Sequence, residues 1–156
     1  QFRLLLRAPK ELKLLYLINF LNSYKYFATC LVLPLIATEE FGFTDVEAGE
    51  IYGAWGLLIT FWSIAASFLV DNVGVRFTAC LSTGISIISR CFLVFSTSKA
   101  SLLFVVLVLA PAGDGLFDNA FNVGLKKLTT KSTRPFAFAI AYTVMNLGGA
   151  FSDNLT

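Results

Sequence analysis

The chain has 156 residues, of which 56% are hydrophobic and 14% are charged, with a net charge of +2 and a mean hydropathy of +0.74. A soluble domain carries about 25% charged residues, so this composition excludes an ordinary soluble domain and indicates an integral membrane protein. The chain lacks histidine, the commonest general base and metal ligand. We therefore expect no enzyme activity, no catalytic residue, no metal and no cofactor, and the small charge argues against a nucleic-acid partner.

Five apolar runs are each long enough to form a helix that crosses the lipid bilayer, which takes about 20 residues. In chain order they are about 14–36, 49–70, 77–97, 101–125 and 135–156, and the short gaps between them carry most of the charge. The predicted fold is an all-α, multi-pass helical bundle. Because the number of spans is odd and neither end carries a polar domain, we expect residues 1–156 to be a fragment of a larger bundle. The remaining transmembrane helices of the same protein are then partners of this chain.

Lysine and arginine are distributed unequally over the gaps. With the N-terminus in the cytoplasm, nine of them fall on the inner side and only Lys99 falls on the outer side. Inner loops of membrane proteins are enriched in these residues, so the count predicts a cytoplasmic N-terminus. The nine inner residues are Arg3, Arg7, Lys10, Lys13, Arg76, Lys126, Lys127, Lys131 and Arg134.

Four ionisable residues fall inside the apolar spans: Lys25, Arg90, Asp114 and Asp118. Each costs about 2.5–3.5 kcal/mol at mid-helix, so we expect them to be paired and to face a bundle interior or a water-filled path. Lys25 lies near the middle of the first span, Asp114 near the middle of the fourth, and Asp118 one turn nearer the cytoplasm. We predict an ion pair between Lys25 and one of the two aspartates.

Polar residues recur at three- and four-residue steps along four of the spans, which places them on one helix face. Such stripes either line a solute path or hold helices together by hydrogen bonds, and both interpretations stay open. The stripes are Asn19, Asn22, Lys25 or Tyr26, and Thr29; Thr83, Ser86 and Arg90; Asp114, Asp118 and Asn122; and Tyr142, Asn146 and Asp153.

The fourth span contains three residues that weaken a helix: Pro111, Gly113 and Gly115. Proline lacks a backbone donor and glycine has low helix propensity. A helix broken at mid-membrane can expose backbone groups beside a transport cavity. A helix bent only for packing explains the same residues, and the sequence favours neither interpretation.

The segment "SFLVDNVGVR" between the second and third spans resembles the major facilitator loop motif G-x-x-x-D-x-x-G-x-R. Asp71, Gly74 and Arg76 match the motif, and Ser67 replaces its first glycine. The resemblance implies that Asp71 sits at a helix N-terminus and that the loop belongs to a charge network that holds the inner gate shut. It also implies a major facilitator type bundle, in which residues 1–156 are part of the N-terminal six-helix half and supply five of the usual twelve helices. An anion at a helix start is physically reasonable.

Within that superfamily the chain resembles the proton-dependent oligopeptide transporter family. "GFTDVEAGEIYGAW" resembles that family's outer loop and second helix, and "GDGLFDN" resembles its fourth-helix segment G-T-G-L-F-K-P-N. The fifth span matches F-Y-x-x-I-N-x-G at Tyr142, Asn146 and Gly148. The resemblance implies that Asn146 contacts the solute.

The chain departs from that family at its charged positions. The family's first-helix motif E-x-x-E-R-F-x-Y-Y, which serves proton coupling and substrate binding, corresponds to Asn19, Asn22 and Ser23, followed by tyrosines. The fourth-helix lysine corresponds to Asp118. Because this chain has its lysine on the first span and acids on the fourth, the polarity of the contact is reversed, and Asp114 and Asp118 are the candidate proton carriers.

The sequence thus predicts a secondary active transporter that moves a small polar, anionic or zwitterionic solute by alternating access, with protons as a candidate coupling ion. The expected solute or coupling residues are Asn22, Lys25, Tyr26, Asp114, Asp118, Asn119, Tyr142 and Asn146, with Asp71, Gly74 and Arg76 as the gating loop. One alternative is a transporter-like sensor or scaffold. Another is an intramembrane aspartyl enzyme, although both of its acids here lie on one helix.

Overall fold

The computed structural model describes residues 10–153. Within that range the chain consists of five long helices joined by short turns, and it contains no β-strand. The connections are short, so each helix begins within a few residues of the end of the previous one. The helices are α1 (Lys10–Glu40), α2 (Asp45–Val73), α3 (Val75–Val94), α4 (Lys99–Lys127) and α5 (Arg134–Ser152).

The helices coincide with the five predicted spans. Among the described residues, α1 to α4 have both the length and the apolar composition needed to cross a membrane. The 19-residue α5 matches the fifth predicted span, and its crossing of the membrane stays a prediction. The last three residues of that span, 154–156, lie outside the described range, as do Arg3 and Arg7 of the orientation count.

Capping side chains, rather than the edges of the apolar runs, decide where α2 and α4 begin. The Thr44 backbone N–H donates to Glu47 Oε2 at 2.8 Å, and the Glu47 N–H donates to Thr44 Oγ1 at 3.3 Å. This capping box starts α2 four residues before its predicted span, because it satisfies backbone donors that would otherwise lack a partner. Ser98 and Ser101 form the same reciprocal arrangement at the start of α4.

Gly74 alone separates α2 from α3. It has φ +95° and caps the end of one helix and the start of the next. Helix α2 therefore persists to Val73, and Asp71 lies in its last turn. The prediction that Asp71 sits at a helix N-terminus is wrong, because only the glycine can adopt the positive φ that stops α2. An acid in a last turn opposes the helix dipole by about 0.3–1 kcal/mol.

Helices α1 and α4 each contain a five-residue π-helical segment close to a proline. In α1 the segment Ile36–Glu40 follows Pro34, and in α4 the segment Val105–Leu109 precedes Pro111. Proline cannot donate the regular i→i−4 hydrogen bond, and a wider turn nearby accommodates the ring. Helix α4 is therefore not broken at Pro111 but continues to Lys127.

The chain divides into two compact units. The described part of the first unit comprises residues 10–29 and 121–153, which are most of α1, the end of α4 and α5. Its buried side chains include Leu12, Leu125 and Ala137. The Tyr16 hydroxyl donates to the Ala137 carbonyl oxygen at 3.1 Å, which joins α1 to α5.

The second unit comprises residues 30–120, with the end of α1, all of α2 and α3, and most of α4. Helix α4 forms its centre, because every residue from 110 to 117 is buried. Helix α2 contributes buried Trp55, Ile59 and Ala66 to the core. Large apolar side chains on the other faces of α2 and α3 are exposed, as expected for helices surrounded by lipid.

Lys99, at the start of α4, contacts the loop between α1 and α2. Its Nζ donates to the Gly42 carbonyl oxygen at 3.0 Å and lies 4.3 Å from the centre of the Phe43 ring. Gly42 has φ +63°, so the tight turn depends on a residue without a side chain. The single basic residue on the predicted outer side therefore has a structural role.

Candidate functional site

An ion pair joins α3 to α4 within the second unit. Arg90 Nη2 is 3.7 Å from Asp114 Oδ2, and the exposed fractions of the two side chains are 24% and 4%. Both residues belong to helices that are otherwise apolar enough to cross a membrane. Because isolated charges are costly there, the pairing explains how the chain can retain them. The sequence identified both residues as charges within spans but did not join them to each other.

The buried face of α3 beside this pair carries small hydroxyl side chains. Thr78, Ser82, Ser86 and Ser89 are all buried, and the Ser82 hydroxyl donates to the Gly113 carbonyl oxygen at 3.0 Å. Thr83, which the predicted stripe included, is instead exposed and bonds within its own helix. Thr83 therefore lies off the buried face, which follows three- and four-residue steps from Thr78 to Ser89, and a role for Thr83 in a solute path stays a prediction.

The glycines of α4 allow neighbouring helices to approach closely. A Cβ at Gly113 would lie 2.6 Å from Ser86 Oγ, and a Cβ at Gly115 would lie 2.6 Å from the Ile59 carbonyl oxygen. Side chains at these positions would push the helices apart, as at other small-residue contacts in membranes. Of the two interpretations that the sequence left open, the packing role therefore accounts for both glycines.

Asn119 holds α4 to α2. Its Nδ2 donates to the Ser63 carbonyl oxygen at 3.2 Å and to Ser67 Oγ at 2.8 Å. Ser67 is the residue that replaces the first glycine of the loop motif, so this bond explains what a serine contributes at that position. Both amide hydrogens of Asn119 are engaged in helix packing, while its Oδ1 is buried and has no hydrogen bond within residues 10–153.

The two acids of α4 have different surroundings. Asp114 is buried, whereas Asp118 and Asn122 are exposed. A four-residue step turns a helix by slightly more than one revolution, so the stripe drifts around α4 and leaves the buried face. Asp114 and Asp118 therefore do not form a matched pair of carboxylates in one environment.

In the first unit, the polar stripe of α1 begins as a packing contact with α5. Asn19 is buried, and its Nδ2 donates to the Ala141 carbonyl oxygen at 3.0 Å. Ser23 is also buried, and a Cβ at Gly148 would lie 2.9 Å from its Cβ and 2.8 Å from the Phe20 carbonyl oxygen. For Asn19 and Ser23, the interpretation as interhelical contacts is therefore supported.

Other predicted residues of the first unit are more accessible. Asn22, Lys25 and Tyr26 on α1 are half-buried, and Tyr142 and Asn146 on α5 are exposed. Their role in binding a solute stays a prediction, and so does the ion pair between Lys25 and an acid of α4.

The loop motif falls at the junction between α2 and α3. Asp71 and Arg76 are exposed on either side of Gly74, in the last turn of α2 and the first turn of α3 respectively. The motif thus corresponds to a one-residue connection in which the glycine conformation is required. Its role in gating stays a prediction.

Comparison of this chain with known proteins identifies a matching family and several similar proteins. The family model described as Major Facilitator Superfamily matches residues 15–152. Dipeptide and tripeptide permease B of Photorhabdus asymbiotica is 24% identical over 151 residues, which cover 95% of this chain and 31% of the permease. The permease B of Photorhabdus luminescens is 25% identical over 151 residues with the same coverage, and that of Xenorhabdus bovienii is 23% identical over 150 residues. No solved structure matches the chain.

The chain spans about a third of the length of the curated relatives that it matches. Within that part, the motif-based resemblance to a transporter family is confirmed, since relatives are named as peptide permeases. The apolar helices and these relatives identify an integral, multi-pass membrane protein. The family model extends over nearly all of the described residues, from α1 to the end of α5. The chain therefore belongs to the Major Facilitator Superfamily.

Proposed function

We propose that the protein is a secondary active transporter that moves a small polar, anionic or zwitterionic solute across a membrane by alternating access. The Arg90–Asp114 ion pair carries this proposal, because it keeps two opposite charges inside two apolar helices. Charges at such depth are characteristic of substrate and ion pathways. Membership of the Major Facilitator Superfamily supports the same conclusion.

The proposed solute class follows from the charges and from the relatives. An arginine and an aspartate side by side offer one partner for a carboxylate and one for an ammonium group, which suits a zwitterion. The similar permeases are named for dipeptides and tripeptides, which are zwitterions of this kind. Peptide-like molecules are therefore the first solutes to test.

We further propose that protons drive transport through Asp114 and Asp118. The positions of the family's coupling motif on α1 hold Asn19, Asn22 and Ser23, whose side chains do not exchange protons at physiological pH. Coupling must then use other carboxylates, and these two lie within an apolar helix. Asp114 already has a cationic partner, so its protonation would release Arg90 from the pair.

The remaining proposed solute contacts come from the first unit. They are Asn22, Lys25 and Tyr26 on α1, and Tyr142 and Asn146 on α5. The three residues on α1 are half-buried and the two on α5 are exposed, so none of them is fully enclosed by packing. Asp71, Gly74 and Arg76 are proposed to close the inner side.

Uptake by reconstituted protein tests the proposal. The protein, expressed from its complete reading frame, is placed in proteoliposomes, and uptake of radiolabelled L-alanyl-L-alanine is measured with and without an inward proton gradient. We expect uptake above that of protein-free liposomes, stimulated by the gradient. The Asp114→Asn variant should lose the stimulation, whereas Glu39→Gln, at an exposed position outside the pair, should retain it.

Two results would contradict parts of this proposal. Uptake that ignores the gradient would reject proton coupling while leaving solute transport intact. A folded protein that takes up neither peptides nor other small charged solutes would reject transport, and it would favour the alternative of a transporter-like sensor or scaffold.

A further inference from the structure

One edge of the Arg90 guanidinium carries hydrogen-bond donors that have no hydrogen-bond partner among the described residues. The two nitrogens of that edge, Nε and Nη2, are both fully buried, and neither is hydrogen-bonded within the described range of 10–153. Asp114 Oδ2 lies 3.7 Å from Nη2, which is longer than the roughly 2.7–2.9 Å of a charge-assisted hydrogen bond. Asp114 therefore balances the charge of Arg90 without a hydrogen bond to either of these two nitrogens.

A carboxylate is the group that fits this edge. The Nε and Nη2 donors are parallel and coplanar, so the two oxygens of a carboxylate can accept from both at once. Buried donors without partners are costly, and charged ones more so, which means that a bidentate partner would gain affinity at this position. A lysine could not provide the same recognition, because its ammonium group is a single point charge.

The position of Arg90 favours a solute over a lipid headgroup as the source of that carboxylate. Arg90 lies four residues before Val94, the last residue of α3, so the direction of its side chain, rather than its depth, distinguishes the two sources. Its side chain is directed towards Asp114, which is 4% exposed. The guanidinium therefore points into the protein and away from the lipid.

We propose that Arg90 binds the carboxylate of the transported solute through Nε and Nη2, an inference that rests on the transport function proposed above. Asp114 holds the guanidinium in place and competes with the solute for it. Because both nitrogens are covered, the solute reaches them when the surrounding helices move, and alternating access supplies such a movement.

A binding experiment tests this assignment independently of transport. The purified protein is titrated with L-alanyl-L-alanine and with L-alanyl-L-alaninamide, which lacks the carboxylate, and binding is measured by calorimetry and by thermal stabilisation. Wild type should bind the acid about tenfold or more tightly than the amide, the effect of losing charge-assisted hydrogen bonds. Arg90→Gln should remove this preference, and Arg90→Lys should restore only part of it. Lys127→Gln, at an exposed basic residue outside the site, should behave as wild type.

A second variant keeps the test decisive if Arg90→Gln fails to fold. Asp114→Asn retains Arg90 and removes the competing carboxylate. Because both probes carry the same ammonium group, any loss of its contact with Asp114 affects them equally, and the ratio of acid to amide affinity should rise severalfold. The assignment is overturned if wild type binds neither probe, if Arg90→Gln weakens acid and amide equally, or if Asp114→Asn lowers the ratio of acid to amide affinity. Selective acid binding without uptake would instead refute the transport function and leave the carboxylate site standing.

Discussion

Replacing Gly115 by alanine tests whether the contact between α2 and α4 depends on the absence of a side chain. A Cβ at this position would lie 2.6 Å from the Ile59 carbonyl oxygen, 2.7 Å from Trp62 Cβ and 2.8 Å from the Ser63 backbone nitrogen. Ordinary contacts begin at 3.4 Å. Two of the three atoms belong to the backbone of α2, which cannot rotate away as a side chain can. The clash is relieved only if α2 and α4 separate by about 0.8 Å at Gly115, the difference between 2.6 Å and 3.4 Å.

The expected size of the effect follows from two opposing contributions. Extra atoms in a closely packed contact cost about 1–3 kcal/mol, whereas alanine is about 0.8–1.0 kcal/mol better than glycine inside a helix. We therefore expect Gly115→Ala to lower the free energy of unfolding by up to about 2 kcal/mol. Gly84 lies within α3 and has nothing within 4 Å of a Cβ, so Gly84→Ala should raise it by up to about 1 kcal/mol.

The assay is the unfolding of the purified protein in detergent, followed by circular dichroism in parallel for wild type and the two variants. The matched glycine-to-alanine pair cancels helix propensity, and the difference between the variants then reports the close approach of α2 and α4. If Gly115→Ala proves as stable as Gly84→Ala, the helices do not meet at Gly115 and the packing role of this glycine is refuted.

Three further predictions concern single contacts. Gly74→Ala should lower the free energy of unfolding by about 1–2 kcal/mol in the same assay, because alanine resists φ +95°. A Gly74→Ala variant as stable as Gly56→Ala, a change inside α2 that should not destabilise the protein, would contradict this. Asn19→Ala removes the hydrogen bond to the Ala141 carbonyl oxygen and should lower the free energy of unfolding by about 0.6–1.7 kcal/mol. Unchanged stability would show that the bond contributes nothing. Thr44→Ala should lower the free energy of unfolding by about 1 kcal/mol and speed the exchange of backbone amide hydrogens in the first turn of α2. Unchanged exchange there would rule out the capping box.

The helices were predictable because their cause lies in the composition of the sequence. Long apolar runs must form helices in lipid, where every backbone group needs an internal partner. Their ends were less predictable, since caps decide them. The Thr44–Glu47 box adds four residues to the start of α2, and the π segments near Pro34 and Pro111 carry both helices past residues that commonly end one.

The candidate site was predictable in its residue types but not in its pairing. Because a charge inside an apolar span is costly, the sequence shows that Arg90 and Asp114 need partners. Which residues pair with each other depends on which helix faces come into contact. That meeting is fixed by Gly113 and the hydroxyl face of α3, which lets the two backbones approach. Asn19 and Asn119 show the same limit, since a polar side chain that packs helices has the same spacing as one that binds a solute.

The one-residue connection at Gly74 leaves no slack between α2 and α3. A longer loop could absorb the sliding or tilting of one helix, but here the last residue of α2 and the first of α3 are separated by a single residue. At this end of the two helices, any displacement of one is transmitted to the other almost undiminished. Helices α2 and α3 should therefore move together, as a coupled pair, whenever the protein changes conformation.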